Sequence, residues 1–177
     1  MTVVLSSAEL TLRAWAAADA TALAALADDA ELRRWTSHRV ADEDDAVRWI
    51  AAQQAGWATR ERLSFAVLAH GQVAGHAVLK RPGGTGAVGE IGYWTGAPAR
   101  GLGLASRAVE LLTAWAFDAD QGQGLTRLEL FHNVGNPASC RVAEKAGFAL
   151  EAVLPPRPPH PLDGHLHVCE RGTVPEC

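Results

Sequence analysis

Arg100-Gly101-Leu102-Gly103-Leu104-Ala105 is the segment whose residue types point most directly to ligand chemistry. Two glycines let backbone come close to a bound group, and the first amides of a helix have no partners inside that helix. A glycine turn opening a helix is therefore a seat for a pyrophosphate, with Arg100 placed to add a charged contact. Two familiar glycine motifs do not fit. The dinucleotide fingerprint needs a third glycine in an early strand–helix–strand unit, and the mononucleotide loop needs Gly-Lys-Ser/Thr where this chain has Gly103-Leu104-Ala105. A second cluster reads His132-Asn133-Val134-Gly135-Asn136-Pro137-Ala138-Ser139, then Cys140-Arg141-Val142-Ala143-Glu144. Locally, Asn136 is a helix N-cap and Pro137 the first helical residue, which leaves two asparagines and a serine gathered where the helix begins.

His165-x-His167-x-Cys169 would present three metal-binding side chains on one face of a strand, because side chains alternate with period two, and His160 could supply a fourth ligand. Half-exposed histidines are ordinary in strands, so this stretch is read without a metal. Cys140 shows no histidine and aspartate beside it in sequence and is read as helix packing. Cys177 is read as an exposed chain end.

The elements that must position these residues follow from periodicity. Leu10 and Leu12 alternating with Thr11 and Arg13 predict a strand over 9–15, and the Ala- and Leu-rich run 19–30 predicts a helix. A second helix begins at the carboxylates of Asp42 to Asp45, with Val47, Ile50, Ala51, Gln54 and Trp57 facing inward and Arg48 and Gln53 outward. Strands over 63–70 and 72–81 form a hairpin about His70-Gly71-Gln72, and 81–86 is a loop. In the next strand, 87–95, Gly92 marks a bulge or a close backbone approach. Leu104, Ala108, Leu111, Leu112 and Trp115 form one apolar stripe on the most regular helix, which Gln121-Gly122-Gln123-Gly124 ends. A strand over 125–132, a short helix over 136–146 capped by Gly147, and strands over 148–154 and 165–171 complete the order β-α-α-β-β-β-α-β-α-β-β. That order describes one α/β or α+β domain built around a single sheet.

Composition sets bounds and names no chemistry. At 177 residues, 48% hydrophobic and 20% charged, the chain suits a single soluble domain over 1–177 and is unlike a disordered one. A net charge of −4, a pI near 5.9 and the absence of a basic run argue against a nucleic-acid or anionic-membrane binder. No apolar run approaches the ~18 residues of a membrane helix, and Met1-Thr2-Val3-Val4 lacks the charged start of a signal peptide. Three cysteines form no paired framework, so the cytoplasm is the simplest compartment. Ala makes up about one residue in five, leaving larger side chains, six Trp among them, to anchor the core.

Taken together, Glu90-Ile91-Gly92-Tyr93-Trp94, the glycine loop, and Asn133-x-x-Asn136-x-x-Ser139-x-x-Val142-x-Glu144-x-x-Gly147-Phe148 resemble the GCN5-related N-acetyltransferases (GNAT). The similarity is closest to the RimJ/RimL-like branch, which acetylates N-termini of ribosomal proteins. The loop matches that family's Gln/Arg-x-x-Gly-x-Gly/Ala signature at Arg100, Gly103 and Ala105, and element order extends the resemblance from about Leu10 to Arg171. The resemblance implies the GNAT fold, an α/β (α+β) domain with a mixed central sheet of about six to seven strands flanked by helices. That sheet would splay between its fourth and fifth strands, 87–95 and 125–132, and acetyl-CoA would lie in the opening with no metal. Arg100, Gly101, Leu102, Gly103, Leu104 and Ala105 would hold the pyrophosphate, and backbone at Tyr93, Trp94 and Thr95 would pair with the pantetheine arm. Asn133 and Asn136 would bond the pantetheine or acetyl region, and Arg141 would reach the nucleotide end.

The resemblance further implies direct attack of a neutral primary amine on the thioester, with Ser139 donating to the departing thiolate and Glu90 as general base through water. Other family members use a tyrosine as donor, and the only tyrosine here, Tyr93, belongs to a different motif. The ribosomal-protein branch carries a further carboxylate where this chain runs Pro155-Pro156-Arg157-Pro158-Pro159-His160-Pro161-Leu162-Asp163, with proline at the aligned position. His160 and a chain of waters therefore stand beside Glu90 as candidate bases, and Trp35 and Trp49 are candidates to line the acceptor cleft. The acceptor would be a protein N-terminus, an amino-acid-like metabolite or an aminoglycoside, and the run Asp42-Glu43-Asp44-Asp45 favours a cationic one. The implied partners are acetyl-CoA and this amine, with a homodimer open and neither nucleic acid nor membrane. The competing reading is a non-catalytic acyl-CoA-binding or regulatory module, against which Asn133, Asn136 and Ser139 argue.

Overall fold

A computed structural model describes residues 3–36, 39–156 and 161–172. A short strand that periodicity does not announce, β1 (Val4–Ser6), runs antiparallel to β2 (Leu10–Ala14), in which Leu10 and Leu12 are buried. Arg13 on β2 makes a two-pronged ion pair with Asp19 at 2.7 and 2.8 Å, and Asp19 also accepts from the Ala16 amide at 2.9 Å. These bonds, led by that from Arg13, hold the buried Asp19 carboxyl below the usual aspartate range.

The run 19–30, expected as one helix, is two: α1 (Ala20–Ala27) and α2 (Ala30–Trp35). Asp29 divides them, because its carboxylate accepts from the amides of Glu31 and Leu32 at 2.8 and 3.3 Å and so caps a new helix. Asp42 caps α3 (Glu43–Thr59) in the same way. The inward side of α3 carries Ala46, Ile50 and Gln53, whereas Val47 is 46% exposed, so the stripe is rotated from the expected one. Gln53 tolerates burial because its Oε1 accepts from Ser64 Oγ at 2.8 Å and Arg62 Nε at 2.9 Å.

Strands β3 (Arg62–Ala69) and β4 (Gln72–Lys80) form the expected hairpin. His70 and Gly71 are both left-handed, at φ 49° and 78°, which matches a turn to the twist of its strands. Then follow β5 (Val88–Thr95), α4 (Leu104–Phe117), β6 (Arg127–Asn133), α5 (Pro137–Lys145), β7 (Ala149–Leu154) and β8 (Gly164–Glu170). Gly147, at φ 81°, ends α5 as expected. Among the described residues no helix is long and apolar enough to cross a membrane.

The sheet has eight strands in the order β1-β2-β3-β4-β5-β6-β8-β7, more than the six to seven expected. Every neighbouring pair is antiparallel except β5 and β6. Their parallel ladder runs from Val88–Arg127 to Ile91–Leu130 and stops, while β5 stays paired with β4 as far as Thr95 and β6 with β8 as far as Asn133. The sheet is thus split between the C-terminal ends of β5 and β6. Gly92 makes no bulge against β4, whose register with β5 is unbroken; it stands where the β6 ladder ends. The close approach falls at Gly75 instead, where a Cβ would lie 2.4 Å from the Trp94 carbonyl oxygen.

Helices cover both faces of the sheet around β3 and β4, whereas β7 leaves Leu150 and Val153 exposed. Helices α4 and α5 lie on Leu12, Phe65, Leu79, Ile91, Leu128 and Leu130, and α1 and α3 enclose Trp15, Ala66 and Trp94 on the other side. The predicted stripe of α4 is found, widened by Val109, Ala116 and Phe117.

Candidate active site

The glycine loop leads into the N-terminus of α4 beside the end of β5. Gly101 and Gly103 have φ of 76° and 74°, and Gly103 is the N-cap of α4 with no side chain capping it. Nothing lies within 4 Å of a Cβ added at Gly101, and the nearest group to one at Gly103 is Arg107 Nη2 at 3.6 Å. Handedness rather than crowding therefore calls for glycine at these positions. The first-turn amides of α4 are left to an anion, as helix geometry predicts. Arg100 is held by protein: it pairs with Asp29 and donates through Nε to the Thr95 carbonyl at 3.3 Å, tying the loop to α2 and β5. Arg107, which sequence reasoning missed, donates to the Leu102 carbonyl and pairs with Glu9. Its position four residues past Gly103, on the side of the helix that faces the loop, was the available signal.

Tyr93, Trp94, Thr95, Leu104 and Ala105 line one narrow crevice together with His76, so five residues predicted from two separate stretches share a wall. At its edge Tyr93 Oη donates to the Ser139 carbonyl at 3.4 Å, joining β5 to α5. Burial pushes the Tyr93 phenol up to about 12, so it is a neutral donor at physiological pH. The end of β6 folds back through asparagines: Asn133 Oδ1 accepts from the Gly135 amide at 2.9 Å, and Asn136 Oδ1 from the Ser139 amide at 3.2 Å. Arg141 stands exposed on α5. Glu90 is not part of this convergence. It pairs with Lys80, and strand alternation puts it on the opposite face of β5 from Tyr93.

That opposite face is aromatic. Trp15 Nε1 donates to His76 Nδ1 at 3.0 Å, and the Trp15 ring meets Trp49 at 5.3 Å and Trp94 at 6.3 Å between centroids. Beside them opens a cleft lined by Leu23, Leu32, Arg33, Val40, Trp49 and Trp94. Trp49 thus lines a cleft. Trp35 lies elsewhere, its ring 3.5 Å from where a Cβ of Gly135 would stand and its N–H bonded to Glu31 at 2.6 Å. His160 and Cys177 lie outside the described residues.

Two expectations about sulfur and histidine are corrected. His165, His167 and Cys169 do share a face of β8, but Cys169 is drawn into the core opposite Leu128. Cys140 is more than helix packing: its Sγ lies 3.8 Å from His167 Nε2 and 3.6 Å from Glu144 Oε1, and His132 comes across from β6. Burial holds His132 and His167 below the ordinary histidine range, and burial with the Glu144 carboxylate pushes the Cys140 thiol up.

The same architecture occurs in solved structures. The microcin C7 self-immunity acetyltransferase MccE, in complex with acetyl-CoA and AMP, is 22% identical at a TM-score of 0.83 over 93% of each chain. The ribosomal L7/L12 α-N-protein acetyltransferase RimL, in complex with coenzyme A, is 17% identical at 0.84, over 97% of this chain and 100% of that one. Mycobacterium smegmatis RimJ, in complex with a CoA disulfide, is 20% identical at 0.85, over 99% and 89%. No curated protein sequence matches the chain. Residues 9–149 match the family model for the acetyltransferase (GNAT) domain, and with the split sheet and the uncapped helix beside it, the chain belongs to the GNAT acetyltransferases.

Proposed function

We propose that this chain, as a single GNAT domain over 1–177 working in the cytoplasm, moves the acetyl group of acetyl-CoA to a primary amine, either a protein N-terminus or a small amine metabolite. The observation that carries the proposal is the end of the parallel ladder at Ile91, with the α4 N-terminus beside it. A pantetheine arm lying along the freed edge of β5 would find backbone partners at Tyr93, Trp94 and Thr95. The amides of Gly101 to Ala105 would meet the pyrophosphate, and Arg100 and Arg107 would frame it. Asn133 and Asn136 would border the acetyl end, and Arg141 the nucleotide end. Nearness in fold to RimL and RimJ supports a protein N-terminus as acceptor, and the acidic start of α3 supports a cationic one.

With the donor in the split, the amine approaches from the tryptophan-lined face. Its nitrogen attacks the thioester carbon, and the C–S bond breaks as the tetrahedral intermediate collapses. Ser139, at the start of α5, donates a hydrogen bond to the departing thiolate, which takes its proton from solvent, and the amine's surplus proton passes through water to Glu90 on the amine's side of β5. Incubation with acetyl-CoA and a panel of peptide N-termini, amino-acid-like amines and aminoglycosides, followed by free thiol, tests this. Amine-dependent release of CoA is expected. Tight CoA binding without release for any amine would make the chain a binding module instead.

A further inference from the structure

Four side chains outside the proposed transfer chemistry meet beneath α5. His132 comes from β6, His165 and His167 from β8, and Cys140 from the helix above them. One ligand atom from each lies within 4.8 Å of all the others. A tetrahedral zinc with bonds of ~2.0–2.1 Å to nitrogen and ~2.3 Å to sulfur sets its ligands about 3.3 Å apart between nitrogens and about 3.6 Å apart between nitrogen and sulfur. His132 Nε2 and His167 Nε2 are 3.2 Å apart, and His167 Nε2 is 3.8 Å from Cys140 Sγ.

The outer bonds of the imidazoles point the same way. His132 Nδ1 lies 2.9 Å from the Asn133 carbonyl and His167 Nδ1 lies 3.4 Å from that of Phe148. A carbonyl only accepts, which assigns the proton of each neutral ring to Nδ1 and leaves its Nε2 bare. Two bare nitrogens then face each other at 3.2 Å, which is unfavourable unless a proton or a metal ion is shared between them. A ring nitrogen bonded outward to a carbonyl with the other turned inward is the usual support of a metal-binding histidine. His165 adds a buried Nδ1 with no hydrogen-bond partner among the described residues.

We propose that His132, Cys140, His165 and His167 form a four-coordinate site for a divalent ion of the zinc class, which fastens α5 to β6 and β8. Three imidazoles and one thiolate suit a borderline-soft ion and leave no position open, as in structural zinc sites. Glu144, one turn further along α5, brings a carboxylate to 3.6 Å from the sulfur. The site would hold the first turn of α5, and with it Asn136 and Ser139, at the edge of the split. This inference does not depend on acetyl transfer.

The full chain without a polyhistidine tag, reduced and stripped with chelator, is titrated with Co²⁺. One equivalent is expected to give the thiolate-to-cobalt charge-transfer band with the strong visible bands of a tetrahedral ion, and Zn²⁺ should bleach both. Cys140→Ser should lose the charge-transfer band, whereas Cys169→Ala and Cys177→Ser should keep it. His165→Ala should weaken cobalt binding by at least the ~10–100-fold that loss of an outer-shell partner costs a metal site. Absence of a band saturating at one equivalent, or a band that persists in Cys140→Ser, overturns the site. Should Cys140→Ser fail to fold, unchanged cobalt affinity in His165→Ala overturns it equally, because His165 is only half-buried.

Discussion

The two faces of the split are built in opposite ways. The face under α4 and α5 is made of contiguous stretches whose own conformations shape it: left-handed Gly101 and Gly103, and the turn from Asn133 to the N-cap Asn136. The other face is a packing of side chains brought from distant elements, with Trp15 from the end of β2, Trp49 from α3, and His76 and Trp94 from β4 and β5. A donor common to a whole family can be met by backbone in a fixed local form. An acceptor that differs between relatives is met by side chains that substitution can exchange without disturbing the backbone.

This contrast can be broken in four places. Trp15→Ala removes the centre of the aromatic face and should cost about 3–5 kcal/mol. A fall in Tm of roughly 6–20 °C is then expected for a chain of this size. A loss below about 1 kcal/mol would mean that this face is loosely packed and not a unit. Ser139→Ala should lower kcat about 100-fold with acetyl-CoA affinity nearly unchanged, as steady-state kinetics and calorimetry would report. An unaltered kcat removes Ser139 from the chemistry.

The buried Asp19 carboxylate, below β2 on the aromatic side, should contribute about 1.5–3 kcal/mol at neutral pH through its bonds from Arg13. Because its folded value is depressed, the contribution is complete above the ordinary aspartate value of about 3.9 and fades as pH falls through the lower folded value. Urea unfolding of wild type and Asp19→Asn should differ at pH 7 and converge in strong acid; a constant gap would show that the charge plays no part. Last, Gly103→Val places a β-branched residue at φ 74° and should weaken CoA binding about tenfold by displacing the loop. A fall in Tm no larger than this backbone strain is expected, since the added side chain meets only the flexible end of Arg107.

What could be read in the sequence divides along the same line. Asn136-Pro137, the His70-Gly71 turn and the α4 stripe are local, and they stand where their residues put them. Gln53 reads as a surface residue because an isolated amide is polar; only β3, folded alongside, supplies the two donors that let it turn inward. Asp29 lies within an Ala- and Leu-rich run that reads as continuous helix, although aspartate is a strong N-cap. The alternation of His165 and His167 was legible, but their companions were not, because His132 reaches them through sheet register and Cys140 through the packing of α5. The face of β5 that Glu90 occupies follows from counting residues; its ion pair with Lys80 follows from the antiparallel neighbour.

The four-pair seam between β5 and β6 also bears on how the chain comes together. On one side lies the antiparallel run β1 to β5, and on the other β6 to β8. The hairpins β3–β4 and β4–β5 join strands that follow one another in the chain and close quickly, and so does β7–β8. The parallel seam needs α4 to have crossed over first, so it belongs to the late, slow part of assembly. The two portions meet in the chain between α4 and β6, where 118–121 is exposed and is the place to cut the backbone and express the pieces apart. The line along which the sheet splits is thus also the seam that contact order expects to close last.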